Sequence, residues 1–181
     1  MGAQRGFTLL ELIIVIAIAA VLMTIAVPGM RSFLLASERS EASTSLYGGL
    51  VEARSEAIAR NWSILLCARD PTPTNTSPKC QVNGSDWTRG WVLLRDANNN
   101  GVLDSGEPAA TDVIAAGDAT DNAFTISPLP ATPSYINFQS TGRPSTATTF
   151  TLCKTGDTTF QGRIIYVDLS GHISLAAYTC S

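Results

Sequence analysis

Oxygen-bearing side chains recur at alternate positions in one stretch, Asp96-Ala97-Asn98-Asn99-Asn100-Gly101-Val102-Leu103-Asp104-Ser105-Gly106-Glu107. The order matches D-x-[DN]-x-[DN]-G-x5-E, the pattern by which hard oxygen donors wrap a calcium ion. Asp96, Asn98 and Asn100 would supply side-chain oxygens, Val102 its carbonyl, and Glu107 a bidentate carboxylate. Asp104 would join directly or through water, and Gly101 would make the sharp turn. Two features stand against this chemistry. The loop follows a strand pattern instead of a helix, and long hairpin loops use the same Asn, Asp and Gly residues. A structural calcium that orders this surface loop is the one cofactor the chain suggests.

The four cysteines, Cys67, Cys80, Cys153 and Cys180, form no CxxC pair, and the single His172 adds little toward a zinc site. An even count behind an export-type N-terminus points to disulfides and an oxidising compartment, whereas four buried thiols would fit a cytosolic chain. Four cysteines allow three connectivities. Cys67–Cys80 with Cys153–Cys180 is preferred, because each bond closes a local loop within one half of the domain. Catalysis finds no support. His172 stands beside Gly171 in a turn pattern, with no nucleophile motif to pair with it, and Asp86, Asp112, Asp118 and Asp121 are scattered through loops. Trp62, Trp87 and Trp91 read as core or rim anchors.

A further carboxylate is out of place. Phe7 to Val27 is apolar except for Thr8, Glu11 and Thr24, and the run is long enough to span a bilayer, which takes about 20 residues. A carboxylate inside hydrocarbon costs about 2.5–3.5 kcal/mol on insertion scales and marks a partner or a function. The alternative is that Glu11 lies at headgroup level and stays hydrated. A cleavable secretory signal would need a shorter apolar core and a small-x-small site; here Ala17, Ala19 and Ala20 are embedded in the run. Arg5 should remain cytoplasmic, which sends the polar remainder across the membrane.

The elements that must position these groups follow from periodicity. Pro28-Gly29 should kink or melt the helix. Beyond it Met30, Phe33, Leu34, Leu46, Leu50, Ala53 and Ala57 recur at helical spacing, with charges on other faces, so an amphipathic helix should end near Asn61. Gly48-Gly49 should weaken its middle by roughly 1 kcal/mol per glycine. Strand patterns follow at 62–68, 90–95, 123–127, 135–139, 149–152, 163–168 and 172–177, with a hairpin turn at Leu169-Ser170-Gly171 and loops at 70–78 and 128–133. A long helix followed by strands is an α+β arrangement, with the sheet covering the helix. At 181 residues and net charge −3 the chain suits one modest domain plus an appendage, and it offers no clustered basic face for nucleic acid.

Gly6-Phe7-Thr8-Leu9-Leu10-Glu11, running into the apolar stretch, resembles the class III signal of type IV pilins and pseudopilins. Trp91-Val92-Leu93-Leu94-Arg95-Asp96, Tyr135-Ile136-Asn137-Phe138 with Gly142-Arg143, and Val167-Asp168-Leu169-Ser170-Gly171-His172-Ile173 resemble the GspH/FimT branch of minor pilins and pseudopilins. The resemblance implies a type IV pilin-like α+β fold, its long N-terminal helix packed on a C-terminal antiparallel β domain. It implies a leader at 1–6, a transmembrane and filament-core helix at 7–29, an amphipathic half at 30–61 and a periplasmic β-rich domain at 62–181. A prepilin peptidase would cut after Gly6 and Phe7 would be N-methylated. Glu11 would pair with the Phe7 amine of a neighbouring subunit during assembly. The chain would be a non-enzymatic minor subunit that initiates or caps a type IV pilus or a type II secretion pseudopilus. Its partners would be other minor and major pilins or pseudopilins, the peptidase and inner-membrane lipid. From the inner membrane, single-pass with the C-terminal domain in the periplasm, it would pass to a place near the filament tip. Some members of the branch resemble DNA receptors with a basic loop near the C-terminus. Arg143 is the matching cation here, with Lys154 and Arg163 elsewhere. The second cation two positions on is missing, so DNA is disfavoured.

Overall fold

In a computed structural model the protein is described at residues 8–70, 78–81, 84–104, 112–118, 124–129, 134–157, 159 and 161–180. A helix, α1 (Leu9–Arg60), is followed by eight strands: β1 (Ile64–Ala68), β2 (Trp91–Arg95), β3 (Val113–Gly117), β4 (Phe124–Leu129), β5 (Tyr135–Phe138), β6 (Thr148–Lys154), β7 (Gln161–Val167) and β8 (Ile173–Thr179). A short 3-10 turn, Trp87–Arg89, precedes β2. The chain divides into two compact units, Met1–Ser37 and Glu38–Ser181.

Apart from Thr8, the described residues of the first unit are all helix. Its apolar side chains, Leu12, Ile13, Val15, Ile16, Val21, Leu22 and Met23 among them, are exposed, and the helix is long and apolar enough to cross a membrane. With apolar residues on every face, no polar stripe is left to water, which is the pattern of a helix whose solvent is lipid. α1 runs through Pro28 and Gly29, so the helix does not melt there. Proline removes one N–H from the ladder, and the helical bonds on either side carry the chain across that gap. Met30, Phe33 and Leu34, expected on the packed face, are exposed.

In the second unit Ala42, Leu46, Leu50, Ala53 and Ala57 are buried, and their spacing of three and four residues lines one face of the helix. Small residues let the backbone approach the sheet closely. The Trp91 indole donates from Nε1 to Ser45 Oγ at 3.2 Å and lies flat against Gly49, where an added Cβ would fall 2.7 Å from Cε2. Asn61 ends the helix at φ 55, and Trp62 N–H bonds back to the Ala57 carbonyl at 3.2 Å. Asparagine tolerates this left-handed position, so the chain can reverse directly into β1.

The strands form two four-stranded antiparallel sheets, in the orders β3-β2-β1-β5 and β4-β6-β7-β8. Side chains alternate faces along a strand. Trp91 therefore faces α1, while Val92 and Leu94 face the other way, into a cluster with Leu65, Cys67, Cys80 and Leu103. Trp87 is buried, and its ring meets that of buried Phe150 edge-on at 4.8 Å. Thr88 Oγ1 accepts the Ile126 N–H at 3.1 Å, fastening the 3-10 turn to β4.

Two expectations change here. Val113–Gly117 is a strand that the sequence pattern did not reveal; its residues are mostly half-exposed and small, so they show no alternation. Pro128 and Leu129 belong to β4 and not to a loop. β4 is an edge strand, where proline's missing N–H removes no ladder bond. Residues 130–133 and 71–77 lie outside the described residues.

Candidate functional site

Glu11 is built into the start of α1. Its Oε2 accepts the Thr8 N–H and the Thr8 hydroxyl, each at 3.0 Å, and Thr8 Oγ1 accepts the Glu11 N–H at 3.2 Å. This is a reciprocal capping box, in which each residue satisfies a backbone donor of the first turn that has no helical partner. The carboxylate is thereby turned back toward the head of the helix. Thr8 was missed as a functional residue, although the T-x-x-E signal before an apolar run was readable. Gly6 and Phe7 lie outside the described residues.

The cysteines are joined as Cys67–Cys80 and Cys153–Cys180, with Cα–Cα distances of 5.6 and 5.9 Å, and none of the four is free. The first bond ties β1 to the segment that pairs with Arg69, and the second ties β6 to the residue after β8. The second spans β7 at Gly162, where an added Cβ would stand 2.6 Å from Cys180 Sγ.

The loop after β2 has a defined bond pattern. Asp96 is buried, and its Oδ2 accepts the Gly101 N–H at 2.6 Å. Asn98 Oδ1 accepts the Asn100 N–H at 3.0 Å, and Asn100 Oδ1 accepts the Val102 N–H at 2.8 Å. Asn98 Nδ2 and Asn100 Nδ2 both donate to Asp104 Oδ2, at 2.6 and 2.9 Å. Asp96, Asn98, Asn100, Val102 and Asp104 thus sit in one closed loop; Glu107 lies outside the described residues. Among the described residues there is no group of three or more His, Cys, Asp or Glu that could hold a metal.

Arg143 donates from Nε to the Leu169 carbonyl at 3.1 Å, tying the loop at Gly142 to the β7–β8 turn. In that turn Asp168 Oδ1 accepts from the Ser170 hydroxyl, from Ser170 N–H and from His172 N–H. The Ser170 hydroxyl, then the two backbone N–H groups and His172, hold the Asp168 carboxyl below its ordinary range. Asp157 is lowered in the same way by the Thr159 hydroxyl and N–H. A cavity of about 700 Å³, absent from the sequence reading, is lined by Glu38, Glu41, Trp87, Trp91 and Asp118 among others.

This architecture, an apolar N-terminal helix continued onto a disulfide-bonded antiparallel domain, is that of the type IV pilin-like proteins. The family of type II transport protein GspH matches residues 42–171, and the prokaryotic N-terminal methylation motif matches residues 1–27. The chain belongs to the GspH family, the minor pilins and pseudopilins. Among solved structures it is similar to the type IV minor pilin FimU of Pseudomonas aeruginosa, at 26% identity and TM-score 0.58, covering 80% of this chain and 92% of that one. It shares its fold with the minor pseudopilin EpsH of the type 2 secretion system of Vibrio cholerae, at 16% identity and TM-score 0.50, over 77% and 97% of the two chains. A fimbrial protein of Moraxella nonliquefaciens is 50% identical over 44 residues, 24% of this chain and 29% of that protein. A type IV major alpha-pilin of Moraxella bovis is 45% identical over 49 residues, 27% of this chain and 31% of that protein. The chain thus spans under a third of the length of these curated relatives.

Proposed function

We propose that the chain is a minor subunit that helps to initiate or cap a type IV pilus or a type II secretion pseudopilus, near the filament tip. The observation that carries this reading is the Thr8–Glu11 capping box at the head of an apolar helix that begins within a methylation motif. A prepilin peptidase cuts after Gly6, and Phe7 becomes the methylated N-terminus. Before assembly the helix lies in the inner membrane with the β domain in the periplasm, and the capping bonds spare Glu11 from facing lipid unpartnered. During assembly Glu11 meets the Phe7 amine of a neighbouring pilin or pseudopilin. Two charges that are costly singly in hydrocarbon are tolerated as a pair.

Local capping and intersubunit pairing can be separated. Glutamine also completes a capping box, so Glu11→Gln keeps the helix start while removing the charge. The variant should insert and be processed normally, yet fail to support piliation or secretion, as should Glu11→Ala. Normal filaments from Glu11→Gln would reduce Glu11 to a helix cap. The alternative role, DNA uptake, would rest on Arg143. Its Nε is engaged by Leu169, and we assign it to the fold. Retention on duplex DNA that is sensitive to salt and lost in Arg143→Ala would reverse that assignment.

A further inference from the structure

We propose that Asp96, Asn98, Asn100, Asp104 and the Val102 carbonyl form a calcium site that locks the loop after β2 onto the sheet. The deciding observation is Asp96. The residue is 2% exposed, its Oδ2 is used by the Gly101 N–H across the loop, and its Oδ1 is buried with no hydrogen-bond partner. A buried carboxylate oxygen left unfilled is unfavourable, and such groups are paired or coordinate metals. The bond to Gly101 turns the carboxylate toward the loop through Oδ2 and leaves the lone pairs of Oδ1 unused.

The surrounding groups fit a hard dication. On the loop the side-chain donors are oxygen, with no sulfur or imidazole to favour a transition metal. Asp96 and Asp104 balance two positive charges. Asn98 and Asn100 aim their amide N–H groups at Asp104 Oδ2, placing the positive ends of two dipoles where a cation would otherwise sit. Each asparagine Oδ1 takes one backbone N–H and keeps a second lone pair; rotation about Cβ–Cγ would present it to the ion. Val102 is 46% exposed, so water can complete the shell. Calcium tolerates such irregular, partly hydrated coordination, whereas magnesium demands near-ideal octahedra.

The loop is already fastened to the fold, so binding should register as stability. Asp96 N–H donates to the Ser63 carbonyl and Ser63 N–H to Asn99 Oδ1, both at 3.1 Å, while Leu103 is buried in the cluster behind β2. The test uses the full-length chain in non-ionic detergent, stripped with a chelator and titrated with calcium or magnesium chloride. Saturating calcium should raise Tm by about 5 °C or more, and magnesium at equal concentration should not. Calorimetry should show one calcium per chain, weakened about tenfold or more in Asp104→Asn, since affinity follows ligand charge. Asp96→Asn should abolish it. If Asp96→Asn fails to fold, the half-exposed Asp104 decides alone. An unchanged Tm in calcium for the parent chain, or equal affinity in the parent and Asp104→Asn, overturns the site.

Discussion

Gly49 and Trp91 share one space: the indole of Trp91 occupies the volume that a side chain at position 49 would need. The helix accepts a poor helix former there because the indole can then lie on its backbone and reach Ser45. Gly117 on β3 abuts the same ring.

The two adjacent glycines should therefore respond oppositely to alanine. At Gly49, overpacking of about 1–3 kcal/mol outweighs a helix-propensity gain of about 1 kcal/mol. Gly49→Ala should lower Tm. Nothing lies within 4 Å of a Cβ at Gly48, so Gly48→Ala should stabilise by up to about 1 kcal/mol. Thermal unfolding of the two variants beside the parent chain reads both signs; destabilisation by both would refute the packing argument.

Both disulfides should matter, and the longer closure should matter more. The sequence separations are 13 and 27 residues, and each doubling of loop length adds about 0.6 kcal/mol of closure entropy. Replacing Cys153 and Cys180 with alanine should destabilise by about 3 kcal/mol. Gly162→Ala should weaken the oxidised protein by pressing on Cys180 and on the Leu152 carbonyl. Denaturant midpoints measured with and without reductant separate the bond from the glycine.

Acid should loosen the β7–β8 turn before the core. The folded pKa of Asp168 lies below its unfolded value, because the Ser170 hydroxyl and neighbouring N–H groups favour the carboxylate. Its contribution is thus complete above an unfolded value of about 4 and is lost as pH falls through the folded pKa. Asp168→Asn should flatten this part of the acid limb. NMR titration should show the Ser170 and His172 amides following Asp168, with a midpoint below the usual carboxylate range; a midpoint at or above 4 would contradict the turn geometry.

What the sequence disclosed follows from where the physics is local. The helix seam at Leu46, Leu50, Ala53 and Ala57 is periodic, and the cysteine pairs close short loops, so both were readable from spacing. Strand existence was legible for seven of the eight strands among the described residues. Val113–Gly117 was missed because a short, half-exposed strand of small residues lacks alternation. Partition into two sheets depends on distant pairings such as β1 with β5, which no window of sequence contains. Pro128 misled because proline's penalty in a sheet depends on whether its N–H would have been used, and on the edge strand β4 it would not. At the candidate site, Glu11 was conspicuous by its charge in an apolar run. The role of Thr8 was legible too, in the T-x-x-E spacing that precedes the apolar run.

The central claim is that Phe7 becomes the head of a subunit whose Glu11 takes part in assembly. Intact-mass and N-terminal fragment spectra of the protein isolated from its native membrane test it directly. The account predicts a chain that begins at N-methylated Phe7, with residues 1–6 gone. A retained initiator Met1, or a terminus beyond Val27, would contradict it.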